Sequence, residues 1–369
     1  MNISKLKLLN FRNYDKINIK LSENMNIFIG DNAQGKTNLL ESVVILALTK
    51  SHRLGVNPNV IKFNKNKAKL EGIIRKDKFI SKLEIEYEKD LKKMFVNNSN
   101  IKKITDYISN LNVIVFTPDD LEIIKGSPNI RRNLLNIQIS QISKLYITTY
   151  NEYNKILKTR NEYLKILFNN SIADKNYLDI ITDKLIEKAV IIYKMRKEYI
   201  DLINISIEKK YQEITNDSGL YIKYENNIKL DNYEDSNITS ILKEIYKKNY
   251  KRELNTGTTL YGPHRDDFIF SLNDIDMKFF GSQGQQKSAI IAFKLSEIPI
   301  FIEKCGYKPV LLLDDIFSEL DIKKRNRLLK IICNGIQSII TTTDLKSISK
   351  KYLEDAYIFE VSNGNINRK

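Results

Sequence analysis

An eight-residue segment near the start of the chain, GDNAQGKT, sets the strongest limit on what this sequence can fold into. Two glycines, Gly30 and Gly35, enclose four residues, and Lys36 and Thr37 follow them. A short apolar run precedes the segment, and apolar residues at helical spacing come after it. This order of strand, glycine-bounded loop and helix predicts a loop whose backbone N–H groups wrap around phosphates.

The loop also assigns roles to its residues. Lys36 is expected to reach the outer phosphates, and the Thr37 hydroxyl is expected to hold Mg²⁺. A helix predicted over residues 36–48 directs its positive end at the anion. The residues predicted to bind ATP in this loop are Gly30, Asp31, Asn32, Ala33, Gln34, Gly35, Lys36 and Thr37.

Bulk composition narrows the class of protein. The 369 residues suffice for one or two domains, and 60 Lys and Arg against 45 Asp and Glu give a net charge of +15. Such a balance favours an anionic partner such as nucleic acid. The alternative is a Lys-, Ile- and Asn-rich composition inherited from the coding DNA. Cys305 and Cys333 form no C-x-x-C pair, and no apolar run is long enough to cross a membrane, so a cytoplasmic protein is expected.

Hydrophobic periodicity predicts an α/β protein with a helical insert. Up to residue 116, segments in which apolar and polar residues alternate predict an antiparallel meander with one solvent-exposed face, followed by a buried strand. From residue 130 the period changes to three or four, which predicts two long helices, the first covering residues 139–167. We therefore expect one discontinuous lobe, residues 1–125 and 255–369, and a helical second lobe, residues 126–254.

The last third of the chain carries a second set of chemical residues. The strand-like run VLLLDD ends in Asp314, in the position of the second metal-site acid, and Asp315 follows. Upstream, GSQGQQ opens a helix, where Ser282, Gly284 and Gln285 offer donors to an anion. The alternative is a helix N-cap without a ligand. If this loop and the phosphate loop lie on opposite faces, two copies would sandwich two ATP molecules.

Together these motifs resemble those of ABC-type ATPases and, more narrowly, those of the RecF family of bacterial recombinational repair. The quoted matches run in order along the chain: LLNFRNY, GDNAQGKTNLLES, SHR, SPNIRR, YGPHRDD, GSQGQQKS and LLLDDIFSELD. The resemblance implies an ABC-type ATPase head, with a mixed sheet in the first lobe. A long coiled-coil arm is not expected, because only two helices lie between the phosphate loop and GSQGQQ.

The resemblance also implies a mechanism. ATP and Mg²⁺ would join two chains into a homodimer on single-stranded, gapped or junction DNA, and weak DNA-dependent hydrolysis would release it. Accessory proteins of the RecO and RecR kind would help load recombinase at gaps. Arg12 and Asn13 would flank the nucleotide, Lys36 would act in catalysis, and Asp315 would orient the attacking water.

Two departures from transporter ATPases indicate slow hydrolysis. Asp315 stands where those enzymes carry a Glu, and the region of their histidine holds Thr342, Thr343 and Asp344. A switch is therefore expected rather than a pump.

Other interpretations remain open at this point. They are the nucleotide-binding subunit of a transporter and a structural clamp that binds ATP without useful turnover. A nuclease is disfavoured because the sequence lacks a second acidic metal cluster. Arg53 is expected either to reach phosphate or DNA or to form a surface ion pair. The sequence assigns no role to His264 or Arg265.

Overall fold

The computed structural model describes residues 1–51, 60–89, 91–170, 174–230 and 232–369, so the prediction for Arg53 lies outside the described residues. The strands are β1 (Asn2–Phe11), β2 (Tyr14–Lys20), β3 (Met25–Ile29), β4 (Lys67–Lys76), β5 (Phe79–Glu88), β6 (Leu91–Val96), β7 (Ser99–Ile101), β8 (Val113–Phe116), β9 (Leu220–Glu225), β10 (Asp267–Leu272), β11 (Ile275–Asp276), β12 (Val310–Asp314), β13 (Ser338–Thr342), β14 (Tyr357–Ser362) and β15 (Asn365–Arg368). The α-helices are α1 (Lys36–Leu48), α2 (Ile104–Tyr107), α3 (Glu122–Lys125), α4 (Pro128–Ile142), α5 (Lys144–Asn169), α6 (Lys175–Thr215), α7 (Asp235–Thr256), α8 (Met277–Phe280), α9 (Gln283–Cys305), α10 (Ile322–Ile332) and α11 (Lys350–Leu353).

The chain folds into two compact units, each built from separate stretches of sequence. Unit 1 consists of Met1–Leu121, Ile207–Ser218 and Lys287–Lys369, and unit 2 consists of Glu122–Ser206 and Gly219–Gln286. The sequence predicts a return to the first lobe at residue 255, whereas the structure places it after Gln286. The reason is strand pairing: β10 and β11 form a sheet with β9, which keeps them in unit 2.

Within the described residues, unit 1 contains two six-stranded sheets. The first has the order β2-β1-β4-β5-β6-β7, with antiparallel neighbours throughout. The second has the order β15-β14-β3-β13-β12-β8, in which the strands from β14 to β8 are parallel and β15 is antiparallel. The predicted mixed-sheet lobe is confirmed. Ligand sites of open parallel sheets form at the carboxyl ends of the strands, which here gather at one edge.

Helix α1 is covered on both sides by these sheets. It contacts β4 and β5 of the first sheet and β12 and β13 of the second. A helix buried all round needs no polar face, which explains the apolar sequence after Thr37. Its fully buried apolar residues are Leu39, Leu40, Val43, Val44, Ile45 and Leu46. This packing fixes the start of α1 relative to the ends of β12 and β13.

The solvent face of the first sheet carries alternating charges, as predicted for a meander with one wet face. Lys7 pairs with Glu71 at 2.6 Å and Lys69 with Glu84 at 2.6 Å. Lys82 bridges both carboxylates, at 3.3 Å from Glu71 and 2.9 Å from Glu84. Much of the basic charge on this face is therefore neutralised locally.

Unit 2 is mainly helical but includes the small sheet β11-β10-β9. The single helix predicted over residues 139–167 is wrong: the structure has two helices, α4 and α5, separated at Ser143. Ser143 has extended backbone dihedrals, and its side chain accepts a hydrogen bond from the Tyr146 N–H. Serine favours this N-cap geometry, so the apolar period continues across a helix boundary.

A search of the described residues for a membrane-spanning helix found no candidate of sufficient length and hydropathy.

Candidate nucleotide-binding site

The phosphate loop lies between β3 and α1, as predicted, and both of its glycines are required by close contacts. A Cβ added to Gly30 would lie 2.3 Å from the Val361 carbonyl oxygen. Gly35 has a φ of 113° and would place a Cβ 2.4 Å from the Asn13 side chain. No other residue type fits these positions without moving backbone or a bonded amide.

Lys36 crosses the loop from the first turn of α1. Its Nζ donates hydrogen bonds to the carbonyl oxygens of Gly30 at 2.6 Å and Asp31 at 2.7 Å. Burial lowers the pKa of Lys36, while the nearby carboxylates of Asp315 and Asp314 oppose that shift. The ammonium is therefore held by dipoles and carboxylates at the place where phosphate charge is expected.

Thr37 and Asp314 meet at the edge of the parallel sheet. The Thr37 hydroxyl donates to Asp314 Oδ1 at 3.1 Å, and the Thr341 hydroxyl donates to the same oxygen at 2.7 Å. The register aligns Asp314 with Thr341 on the neighbouring strand, which fixes the carboxylate. Hydroxyl and carboxylate oxygens are the ligands that Mg²⁺ prefers, so this pair suits the predicted metal position.

Asp315 follows β12 in a strained conformation. Its φ is 49°, in the left-handed region that non-glycine residues rarely adopt. Its N–H donates to the Thr341 hydroxyl at 3.0 Å. Its buried Oδ1 has no hydrogen-bond partner among the described residues. Burial raises the pKa of Asp315, while Ser318 and Lys36 oppose the shift. Strain and an unsatisfied oxygen together indicate a functional carboxylate.

These residues surround an open pocket of about 350 Å³ in unit 1. It is lined by Asn32, Ala33, Gly35, Lys36, Thr37, Asn38, Pro118, Asp314 and Asp315. The sequence analysis missed Asn38 and Pro118. Pro118 follows β8, which lies beside β12, so a turn at the end of a predicted buried strand was the available signal.

Arg12 and Asn13, predicted to flank the nucleotide, both contact other protein groups. The Arg12 guanidinium makes a two-point contact with the fully buried Glu41 carboxylate, at 3.0 and 2.7 Å. Asn13 donates to the Gln34 carbonyl at 3.1 Å and accepts from Asn38 at 2.9 Å. Asn13 thus supports the loop, whereas Arg12 neutralises a carboxylate on α1. The buried Glu41 inside an apolar helix was the signal for such a partner.

The GSQGQQ segment opens α9 as a reciprocal cap in unit 2. The Ser282 hydroxyl oxygen accepts from the Gln285 N–H at 3.3 Å, and Gln285 Oε1 accepts from the Ser282 N–H at 2.9 Å. This arrangement is a capping box, as expected for a helix N-cap without a ligand. The Ser282 hydroxyl acts as acceptor in this bond and retains its own proton for a further acceptor. A phosphate contact by Ser282, Gly284 and Gln285 stays a prediction.

The segment after β13, where transporter ATPases carry a histidine, forms a local turn. Thr342 donates its hydroxyl to the Asp344 carbonyl at 3.0 Å, and Asp344 caps the next helical turn through the Lys346 N–H.

The YGPHRDD motif forms the polar core of unit 2. His264 Nε2 lies 3.0 Å from the Thr259 carbonyl oxygen, so Nε2 carries the proton and Nδ1 accepts from the Tyr153 hydroxyl at 2.7 Å. Burial lowers the pKa of His264 to about 4, although the hydrogen bond to Thr259 opposes that shift, so the ring is neutral at pH 7. His264 therefore has a structural role that spacing alone did not reveal.

The two aspartates of the motif are also bonded internally. Asp266 accepts from Arg196 at 3.2 Å and from the Tyr224 hydroxyl. Asp267 receives a two-point contact from Arg131, at 2.6 and 2.8 Å. Both carboxylates are thus engaged inside unit 2.

Phosphate loops occur in many enzymes, but here β12 of the same parallel sheet adds two successive carboxylates at its end, and one of them accepts a hydrogen bond from the loop threonine Thr37. Together with the sheet order, this defines an ABC-type ATPase head. The chain also matches the family model described as RecF/RecN/SMC N terminal domain over residues 2–366. A solved Smc head bound to the C-winged helix domain of ScpA, at 15% identity and a TM-score of 0.56, covers 100% of this chain and 97% of its own and supports the fold.

Closer relatives narrow the family. The chain is 39% identical to the DNA replication and repair protein RecF of Halalkalibacterium halodurans and 38% identical to that of Listeria monocytogenes, each over 100% of both chains. A solved RecF–ATP structure of the RecFOR pathway has 33% identity and a TM-score of 0.91, covering 100% of this chain and 97% of its own. The chain belongs to the RecF family.

Proposed function

We propose that this chain is an ATP-dependent DNA-binding protein of recombinational repair and replication restart. ATP joins two copies on DNA, and slow, DNA-dependent hydrolysis releases them. The main observation behind the proposal is the Asp315 oxygen that has no hydrogen-bond partner among the described residues and lies in the same pocket as Lys36, Thr37 and Asp314. The names of the full-length relatives support DNA repair over a transporter subunit or a nuclease.

Mg²⁺ fits the oxygen donors of this site. Thr37 and Asp314 supply two oxygens, and a nucleotide-bound Mg²⁺ takes its other ligands from phosphate and water. Accordingly, a separate cluster of three or more His, Cys, Asp or Glu side chains is absent from the described residues. Bound Mg²⁺ neutralises charge that develops on the transferred phosphoryl group.

Asp315 is the candidate for positioning the attacking water. A buried carboxylate with a raised pKa and an unbonded oxygen accepts a proton more readily than an exposed one. Aspartate is one methylene shorter than the glutamate of transporter ATPases, so water is held less closely. This supports a slow switch instead of a motor.

Dimerisation would bring the α9 cap of one copy to the ATP of the other. The Ser282 proton and the backbone N–H groups at the start of α9 are donors of the type that bind a γ-phosphate. ATP bound between two copies favours the closed state, and loss of the γ-phosphate reverses this preference.

The cellular setting follows from the relatives. The solved RecF structures are described as recombination mediators of the RecFOR pathway. We therefore propose that this chain acts in the cytoplasm with accessory proteins of the RecO and RecR kind. Gapped DNA would be the place where they load recombinase.

Sedimentation with ATP, ADP or no nucleotide, each with and without DNA, tests this function. We expect dimers only in the samples that contain ATP. Lys36→Ala should abolish tight ATP binding, because the phosphates lose their counter-charge. Unchanged ATP affinity in Lys36→Ala would show that the loop is not the site.

A mixture of two variants tests the composite site. Ser282→Arg should bind ATP but fail to dimerise, whereas Asp315→Asn should trap an ATP-bound dimer. In a mixed dimer, one site combines the Ser282 loop of the Asp315→Asn chain with the phosphate loop of the Ser282→Arg chain and should regain hydrolysis. Normal ATP-dependent dimerisation of Ser282→Arg would refute the sandwich.

A further inference from the structure

Four arginines converge on the YGPHRDD motif in unit 2, but only two of them have a carboxylate partner among the described residues. Arg131 is paired with Asp267, and Arg196 is paired with Asp266. The remaining two are Arg132, which follows Arg131 at the end of SPNIRR, and Arg265, which lies inside YGPHRDD. The charge around the motif is therefore unbalanced toward positive.

Arg132 is half-buried and anchored at one end. Its Nη1 donates to the Asp266 carbonyl oxygen at 2.8 Å. Burial lowers the pKa of Arg132, with Asp267 opposing and Arg196 adding to the shift. A guanidinium has five donors, so most donors of Arg132 are not used by this single bond.

Arg265 is exposed, and its side chain has no ion pair within the part of the chain that the structure describes. It directly precedes Asp266, whose carbonyl oxygen binds Arg132. Both guanidinium charges lower the pKa of His264. The two charges therefore act on the same small region of unit 2.

We propose that Arg132 and Arg265 form a binding site for a backbone phosphate of DNA on unit 2. Guanidinium groups bind phosphate oxygens through paired, charge-assisted hydrogen bonds. The anchored Arg132 loses little side-chain freedom on binding, and the exposed Arg265 reaches outward. The site rests on the proposed DNA-binding function. It gives a role to Arg132 and Arg265, which form no ion pair with Asp266 or Asp267.

DNA is favoured over other phosphate carriers by exposure and charge. A free nucleotide is usually enclosed by a pocket, whereas Arg265 is open to solvent. The chain carries +15 overall, which suits a polyanion. An acidic protein surface is the competing occupant, and binding to an acidic polypeptide distinguishes it from DNA.

The test measures binding of the full chain with ATP to a fluorescent gapped duplex over a series of salt concentrations. Loss of the single phosphate contact in Arg132→Gln/Arg265→Gln should make the log–log salt slope shallower by about 0.9, with about tenfold weaker binding, and Arg265→Gln alone should shift the slope part of the way in the same direction. Unfolding curves check the folding of both variants, and the exposed Arg265 provides a readout if Arg132→Gln is unstable.

Arg252→Gln is the matched control, because Arg252 is another exposed arginine of unit 2 that has no ion pair among the described residues. It should leave the slope unchanged, and ATP-dependent dimerisation should be normal in all variants. If wild type binds DNA and Arg265→Gln shows the same slope, the site is refuted while the proposed function stands.

Three other results overturn the site. An equal loss in Arg252→Gln reveals a diffuse charge effect. A dimerisation defect shows that the arginines serve the interface between copies. The variants could also keep their DNA binding and lose binding to an acidic polypeptide such as polyglutamate. That result would show that the site binds a protein partner. If wild type itself fails to bind DNA, the proposed function fails first.

Discussion

Two of the chain's three pairs of consecutive aspartates have opposite surroundings. Asp266 and Asp267 in unit 2 are bonded by arginines and a tyrosine. Asp314 and Asp315 in unit 1 border an open pocket, and one Asp315 oxygen has no hydrogen-bond partner in the part of the chain that the structure describes. Burial raises the pKa of Asp266 to about 6 and also raises that of Asp315.

The comparison shows that burial alone does not identify a reactive carboxylate. Arg196 and Tyr224 oppose the pKa shift of Asp266 and satisfy its oxygens, so that carboxylate serves stability. Asp315 has a raised pKa, a strained backbone and a free oxygen together. Unmet bonding capacity distinguishes the two pairs.

The largest expected effect is on catalysis at Asp315, in the aspartate pair that borders the pocket. Asp315→Asn should lower ATP hydrolysis by about 10²–10⁴-fold, because the amide cannot accept the proton of water. Its free energy of unfolding should change by less than about 1 kcal/mol, since no hydrogen bond to that oxygen is lost. Phosphate release and urea unfolding measure the two quantities. Asp315→Glu is the control that keeps the carboxylate; equal loss in both variants would argue against this role.

At Asp266 and Asp267, whose carboxylates are bonded inside unit 2, we expect a large effect on stability instead of catalysis. Asp266→Asn should destabilise the chain by about 3–5 kcal/mol, because Arg196 would remain charged, buried and without its counter-charge. Chemical denaturation with matched Asp315→Asn measurements tests this contrast. A change below about 1 kcal/mol would mean that the network does not support unit 2.

A smaller effect depends on pH. The pKa of His264 is about 4 in the folded chain against 6.5 as its ordinary value, so the unfolded chain binds the proton first as pH falls. The stabilisation is complete above pH 6.5 and is lost as pH drops toward 4, by up to about 3 kcal/mol. His264→Gln should remove this part of the pH dependence in unfolding experiments. An unaltered profile would assign the dependence to other groups.

The smallest expected effect concerns the start of α9. Gln285→Ala removes one half of the capping box and should cost about 0.5–1 kcal/mol locally. Faster hydrogen exchange of the Ser282 amide checks the loss. ATP-dependent dimerisation should persist, since the Ser282 hydroxyl and the backbone N–H groups of Gly284 and Gln285 are retained. A dimerisation defect as large as that of Ser282→Arg would assign Gln285 a direct contact.

Local patterns allowed much of the nucleotide site to be predicted. The bounds of α1 and the strand that ends at Asp314 follow from apolar runs beside fixed motif residues. The bonding of Arg12 to Glu41 could not be predicted, because it depends on how β1 meets α1 in three dimensions. The sequence likewise places Ser282 at a helix start but contains no information on the geometry of a second copy.

Long-range pairing accounts for the errors in unit 2. β9 is short and lies in a polar stretch, and its partner β10 is distant in sequence, so no local pattern indicated their pairing. The predicted boundary at residue 255 differs from the limit of the compact unit at Gln286 for the same reason. At Ser143 the apolar period continued while the backbone turned, which periodicity cannot detect.

The hydrogen bond between Thr37 and Asp314 joins residues 277 positions apart, and β3 pairs with β13 and β14 from the end of the chain. During synthesis the phosphate loop therefore emerges long before the strands that complete its site. Such distant pairing slows folding, and the surface of α1 that packs on β12 and β13 stays uncovered in nascent chains. ATP binding should therefore report complete synthesis, and ribosome-bound chains that lack β12–β14 should depend on chaperones.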